Sequence, residues 1–264
     1  MTSPVSRLLP FDALPNTRDL GGIPAAGGTI KPGRLFRSGA LASATPRDVK
    51  TLTASLSAII DLRAEGERAG RPDPVLPDVD VVWLPVVDEP TTGLTRDEES
   101  MNAALAALSH DPDAATWYMH RTYRNFVAGP RCRAQFSAFV RELLRPREGA
   151  VLWHCSAGKD RAGFGAVILL ALLGVARDTI ERDYLFTNDC LRGEMDTLVR
   201  AREQAGKPDE AAAVRRMFGA HADYLAQSFL AADELYGGFD GYLRDGLGVT
   251  DEMREKLIAQ YVTP

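Results

Sequence analysis

Residues 150–173 constrain this chain more than any other stretch. Val151, Leu152 and Trp153 form a continuous apolar run with a β-branched and an aromatic member, which predicts a short buried strand. From Gly163 to Leu173 the chain is almost wholly apolar and rich in Ala and Leu. That run is too long for a strand and predicts a buried helix closed at Gly174. Between the two lies Cys155-Ser156-Ala157-Gly158-Lys159-Asp160-Arg161. A loop of small residues from strand end to helix start aims several backbone N–H groups at one point, and the helix dipole adds to them. Such a geometry suits a phosphate-like anion.

Two side chains make the anion site reactive. Cys155 faces backbone donors and a helix start, so it is expected to be a nucleophilic thiolate near neutral pH. Arg161, six residues on, can lay its planar fork across two oxygens of a phosphoryl group. Ser156, Ala157, Gly158, Lys159, Asp160 and Arg161 are the expected phosphate-binding positions. This Cys-x5-Arg loop resembles the phosphate-binding loop of the cysteine-based protein tyrosine phosphatases. A bare Cys-to-Arg spacing is weak, and Cys132 and Cys190 have Ala138 and Asp196 at the same offset. The preceding apolar strand, the glycine inside the loop and the following apolar helix give the match its weight.

A chain of 264 residues with 45% hydrophobic content can bury a sizeable core. A net charge of −5 argues against a nucleic-acid role. Three widely spaced cysteines make no disulfide framework and fit a reducing compartment. No cysteines or histidines sit at zinc-ligand spacing, so no metal is expected. The first ten residues carry no apolar signal segment, and the longest apolar stretch, Ala162–Leu173, is too short to span a bilayer. A cytoplasmic protein without membrane insertion is the expectation.

In chain order, residues 1–32 are rich in Pro and Gly and predict an irregular lead-in. Arg34–Ser38 predicts a first strand, and Thr45-Pro46-Arg47-Asp48 a helix start with Thr as N-cap. Ala58–Leu62 predicts a strand buried on both faces, and Asp80–Val87 another. Residues 91–149 predict helices near 100–109, 113–127 and 133–144. After 174 the pattern is helical only, near 177–187, 190–204, 209–217, 221–236 and 250–261. Strands separated by helices predict an α/β fold: a mostly parallel central sheet of four to five strands, a helical insertion and an all-helical C-terminal part. No linker breaks the chain, so a single domain over 1–264 is expected.

A thiolate that displaces phosphate from an ester needs a proton donor for the departing oxygen. Asp88 is one candidate, past Trp83 and Pro85 in a proline-flanked loop; its ordinary alternative is a turn former. Asp160 is the other, beside Arg161; its alternative is a partner that orients Lys159 or Arg161. His154 points to the opposite face from Cys155 and suits a buried hydrogen-bonded support. Lys159 adds positive charge, or is solvated. Gly158-Lys159 is no Walker loop, because Asp160 follows it.

A closer resemblance spans roughly residues 14–260. Asn16-Thr17-Arg18-Asp19-Leu20-Gly21-Gly22, Gly33–Ser38, Ile60-Asp61-Leu62-Arg63, His154–Arg161, Asp183-Tyr184-Leu185, Tyr236-Gly237-Gly238 and Tyr242-Leu243-Arg244 occur in that order. Together they resemble the atypical bacterial tyrosine-phosphatase family with the His-Cys-x-Ala-Gly-Lys-Asp-Arg loop. The resemblance implies Cys155 as nucleophile, Arg161 as phosphate ligand, Asp88 or Asp160 as acid, and no cofactor. It implies phosphotyrosine substrates first, with phosphoserine, phosphothreonine or phosphoinositides besides, and inorganic phosphate as product. Some members carry a helical lid, for which residues 91–128 are the candidate. One departure stands out: Ala162 replaces the usual Thr or Ser whose hydroxyl serves the sulfur, which predicts slowed phosphocysteine hydrolysis unless Ser156 substitutes. Two other classes use similar parts, a silent phospho-group binding module and a sulfurtransferase or arsenate reductase.

Overall fold

The structure, a computed structural model, describes residues 6–87, 105, 111 and 113–264. Its centre is a six-stranded sheet in the order β1 (Arg7–Leu8), β2 (Arg18–Asp19), β5 (Leu35–Ser38), β8 (Ala150–His154), β6 (Leu56–Asp61), β7 (Asp80–Trp83). The four strands β5, β8, β6 and β7 run parallel, and β1 and β2 add an antiparallel edge. A second small sheet joins β3 (Pro24–Ala25), β4 (Gly28–Ile30) and β9 (Val262–Thr263). The lead-in expected to be irregular therefore contains short strands. Runs of two or three residues carry too little alternation to be read from sequence. The end of the chain, expected to be helical only, closes that small sheet with a strand.

β8 is central because both of its faces bury apolar side chains. Val151 and Trp153 point into the larger core, while Ala150 and Leu152 point into a smaller one with Phe36, Leu52 and Ile59. This is the two-residue period of a strand sandwiched between helical layers. On the smaller side lies α1 (Pro46–Ser55). Its Thr45 hydroxyl accepts from the Asp48 amide at 3.1 Å and the Asp48 carboxylate accepts from the Thr45 amide at 3.1 Å, a reciprocal cap with Pro46 first in the helix. Next come α2 (Glu65–Gly70), α3 (Ala114–Ala128) and α4 (Pro130–Leu143).

α5 (Arg161–Leu172) follows the cysteine loop and is buried along nearly its whole length. Phe164 on α5 stacks on Phe126 of α3 at 5.4 Å and meets Phe136 of α4 edge-on at 5.2 Å. The C-terminal layer continues through α6 (Arg177–Leu185), α7 (Thr187–Cys190), α8 (Arg192–Gln204), α9 (Pro208–Phe218), α10 (Ala222–Tyr236), α11 (Phe239–Gly241) and α12 (Asp251–Tyr261). Expected elements near 100–109 and the greater part of the 91–128 insertion fall outside the described residues, apart from helical Leu105 and α3. No helix of the described residues is long and apolar enough to cross a membrane.

The N-terminal edge and α6 are joined by charge. Asp183 accepts from Arg37 at 2.8 Å, lies 3.8 Å from Arg18, and takes a short hydrogen bond from the Ser6 hydroxyl. All three charged side chains are buried. Removing one partner of such a cluster strands the others away from water. Asp183→Ala is expected to lower unfolding stability by about 3–5 kcal/mol in urea titrations; a loss under about 1 kcal/mol, the range of an exposed pair, would contradict this role.

Candidate active site

The loop Cys155–Asp160 leaves the C-terminal end of β8 and enters α5, as expected from the sequence. Its shape is set by where its carbonyls go. The Ser156 carbonyl accepts from the Ala40 amide at 3.0 Å, the Ala157 carbonyl from the Asn16 side-chain amide at 2.8 Å, and the Gly158 carbonyl from Arg37 at 2.8 Å. The structure has no cis peptide bond among the described residues. In a trans peptide the N–H points opposite to the C=O. The amides of Ala157, Gly158 and Lys159 are thus turned away from those three donors, to the inner side of the loop. Among the described residues, no protein acceptor takes the N–H of Ser156, Ala157 or Gly158.

Parallel pairing of Ser38 with His154 brings the end of β5 against the loop. Gly158 has φ +72°, and a Cβ there would stand 2.6 Å from the Ser38 carbonyl group and 2.7 Å from the Gly39 nitrogen. Only glycine meets both the positive φ and the close approach. Arg37, fully buried, is drawn down to about 10 by burial and by Arg18, against the pull of Asp183. It stays charged at neutral pH and keeps its grip on the Gly158 carbonyl.

Arg161 is fully buried at the first turn of α5 and forks onto Glu67, with N–O distances of 2.5 and 2.8 Å. The Ser156 hydroxyl makes a short hydrogen bond to the same carboxylate. Ser156 is therefore turned to Glu67, and its hydroxyl does not stand in for the one that Ala162 lacks. Glu67 also accepts from the Ala64 amide at 2.9 Å. Burial alone would raise the Glu67 carboxyl, but Arg161 and these donors outweigh it and hold it below its ordinary value. Against the opposing burial, Glu67 and the Cys155 sulfur keep Arg161 firmly protonated.

Arg63 ties down the chain on either side of Glu67. That guanidinium grips Asp61 at 2.9 and 2.8 Å, makes a short contact to Asp73, and donates to the Arg71 carbonyl at 2.7 Å. His154 sits behind the same group, its Nδ1 3.3 Å from the Cys155 carbonyl. Its Nε2 lies 3.2 Å from Asp73, without the alignment of a hydrogen bond, and 3.9 Å from Asp61. Asp61, Asp73 and His154 offer atoms within 4.8 Å of one another, a spacing a metal ion could use. Arg63 is already paired with both carboxylates, so the set fits a closed charge network better than a cation.

Lys159, expected at the phosphate, makes a short hydrogen bond to the Met217 carbonyl, donates to the Gly219 carbonyl at 3.2 Å and lies 3.3 Å from Asp160 Oδ1. Asp160 Oδ1 also accepts from the Tyr123 hydroxyl at 2.8 Å. Asp88 lies outside the described residues. The structure thus gathers Cys155, Ser156, Ala157, Gly158, Asp160 and Arg161 at one loop, with the Lys159 ammonium directed towards the α9–α10 turn.

Comparison with known proteins assigns the chain to a family. A family model described as "Tyrosine phosphatase family" covers residues 9–263. The chain belongs to that family. The phosphatase is 32% identical over 254 residues to the triple specificity protein phosphatase PtpB of Mycobacterium tuberculosis, covering 87% of this chain and 90% of that one. It is 35% identical over 243 residues to a Cupriavidus necator protein provisionally named a tyrosine-protein phosphatase, covering 91% and 84% of the two chains. A tyrosine-protein phosphatase of Nostoc commune matches over 130 residues at 35% identity, covering 47% and 42%.

Sequence reasoning passed over Glu67 and Tyr123. Glu67 was visible only as an acid at the third position of a short helix that starts after Ala64, a helix-capping position. Tyr123 was one aromatic among several on an amphipathic helix.

The ion networks give the phosphatase a two-sided pH response. Glu67, Asp61, Asp73 and Asp183 are all lowered from ordinary values of 4.5 or 3.8, despite burial, by the cations and donors around them. Their stabilisation is present above those values and is lost as pH falls through the lower folded-state ones. His154 is raised above 6.5 because Asp61 and Asp73 outweigh its burial. Its contribution is complete below 6.5 and is lost as pH rises through the folded value. Urea midpoints should therefore peak between 4.5 and 6.5 and fall on both sides; a profile flat from that window into acid would contradict the carboxylate assignments.

Proposed function

We propose that this phosphatase hydrolyses phosphate monoesters through a phosphocysteine intermediate. The Cys155 thiolate attacks phosphorus while the bond to the leaving oxygen breaks. The loop amides and Arg161 hold the equatorial oxygens, where charge develops in the transition state. Asp160 gives its proton to the leaving oxygen. Water then attacks the phosphocysteine, Asp160 takes its proton, and the P–S bond breaks to return the thiolate and release inorganic phosphate. Asp160 is the acid in this scheme because it stands in the loop beside Arg161.

The observation that carries the reading is the outward anchoring of the Ser156, Ala157 and Gly158 carbonyls, which turns consecutive amides to the inner side beside Arg161. A binding module that never turns over would need the same cup, but family membership favours the enzyme. Phosphotyrosine is the proposed first substrate class. The triple specificity in the PtpB name supports a wider range of phosphoserine, phosphothreonine and phosphoinositide substrates. Lys159, held by the Met217 and Gly219 carbonyls, acts in this scheme by fixing the loop to the C-terminal layer.

Cys155→Ser is expected to abolish phosphate release from an aryl phosphate; retained turnover would exclude the sulfur as nucleophile. Ala162 leaves the departing sulfur without a hydroxyl donor, a loss of about 1–3 kcal/mol for a charged acceptor. Rapid mixing should show a pre-steady-state burst of phenol that Ala162→Thr shortens, with steady-state turnover rising about tenfold or more. Equal turnover in the two proteins, with no burst in either, would contradict a slow second step.

A further inference from the structure

Asp160 is held asymmetrically. Its Oδ1 receives the Tyr123 hydroxyl at 2.8 Å and lies 3.3 Å from the Lys159 ammonium. Its Oδ2 accepts no hydrogen bond from the described residues. Tyr123 is itself backed by Tyr184, hydroxyl to hydroxyl at 2.6 Å. Because the Tyr123 proton is committed to Asp160, the shared hydrogen in that pair comes from Tyr184. The chain Tyr184, Tyr123, Asp160 thus crosses from α6 through α3 into the cysteine loop. Each donor polarises the next in a buried setting. Both phenols are fully buried, and burial followed by the Asp160 charge pushes each well above 10, so both remain protonated donors.

We propose that Tyr123, backed by Tyr184, is a positioning residue that reserves Asp160 Oδ2 for proton transfer. Oδ1 is spent on the Tyr123 hydroxyl, with the Lys159 charge beside it. The proton bound for the leaving oxygen therefore rides on Oδ2, and the same atom later receives the proton of the attacking water. The hydroxyl pair also fixes the carboxyl plane, which proton transfer over one hydrogen-bond length requires. This inference rests on Asp160 being the acid and base of the proposed reaction.

The test compares kcat/KM for phenyl phosphate, whose leaving group needs a proton, with para-nitrophenyl phosphate, whose leaving group hardly does. Wild type, Tyr123→Phe, Tyr184→Phe, Asp160→Asn and the Tyr123→Phe/Asp160→Asn double variant are measured, with melting curves to confirm folding. Asp160→Asn should lower the phenyl ester about 100-fold and the nitrophenyl ester far less. Tyr123→Phe should show the same selectivity for the poor leaving group, about tenfold, with Tyr184→Phe smaller in the same sense. The double variant should be no slower than Asp160→Asn, because the hydroxyl acts only through that carboxyl. If Tyr123→Phe and Tyr184→Phe slow both esters equally, or if Tyr123→Phe adds fully to Asp160→Asn, the tyrosines only pack and the inference is overturned while Asp160 stands. If Asp160→Asn itself treats the two esters alike, the acid assignment fails and this inference with it. Should Tyr123→Phe not fold, Tyr184→Phe carries the same comparison.

Discussion

Three outward-facing carbonyls decide what the loop of residues 155–161 can do. A peptide plane is rigid, so anchoring the C=O of Ser156, Ala157 and Gly158 to Ala40, Asn16 and Arg37 commits the following amides to the other side. The loop alone could not choose this arrangement, since its small residues allow many. The choice is imposed by the N-terminal segment and the end of β5, which lie beside β8 through parallel pairing. The glycine at 158 is what lets the two backbones approach within contact. Most of the machinery of the proposed anion site is thus contributed by residues that no anion would touch.

The second theme is nested charge. Arg161 meets Glu67, Arg63 meets Asp61 and Asp73 with His154 behind, and Arg37 meets Asp183 with Arg18 alongside. Buried ion pairs seldom add much net stability, because desolvation offsets attraction. Their value here is geometric. Arg63 staples the chain beyond β6, and Glu67 in the helix between its contacts carries the carboxylate that meets the fork of Arg161. A fork already held flat has less rotamer freedom to lose when it meets two phosphate oxygens.

Much of this was legible in the sequence, and the limits have physical causes. The strand, loop and helix of residues 150–173 were readable because an apolar run, small residues and a second apolar run each have one natural conformation. The cap of α1 was readable because Thr45, Pro46 and Asp48 act within four residues. β1 to β4 and β9 were not readable, since pairing between distant short segments leaves no local pattern. The direction of Lys159 was also hidden. A lysine beside a phosphate loop suggests an anion ligand, yet its partners are main-chain carbonyls at Met217 and Gly219, which any residues could supply. Glu67 and Tyr123 act through folded proximity to residues 94 and 37 positions away, a relation that only the tertiary structure reveals.

The account stands on an amide-lined cup that takes a tetrahedral oxyanion beside Arg161. Titrating inorganic phosphate into the 15N-labelled Cys155→Ser protein reads that cup directly, amide by amide. Saturable shifts confined mainly to the backbone N–H signals of 156–161 and the Arg161 guanidinium are the predicted result. Shifts that leave those signals in place, or that appear only at scattered surface residues, would contradict it.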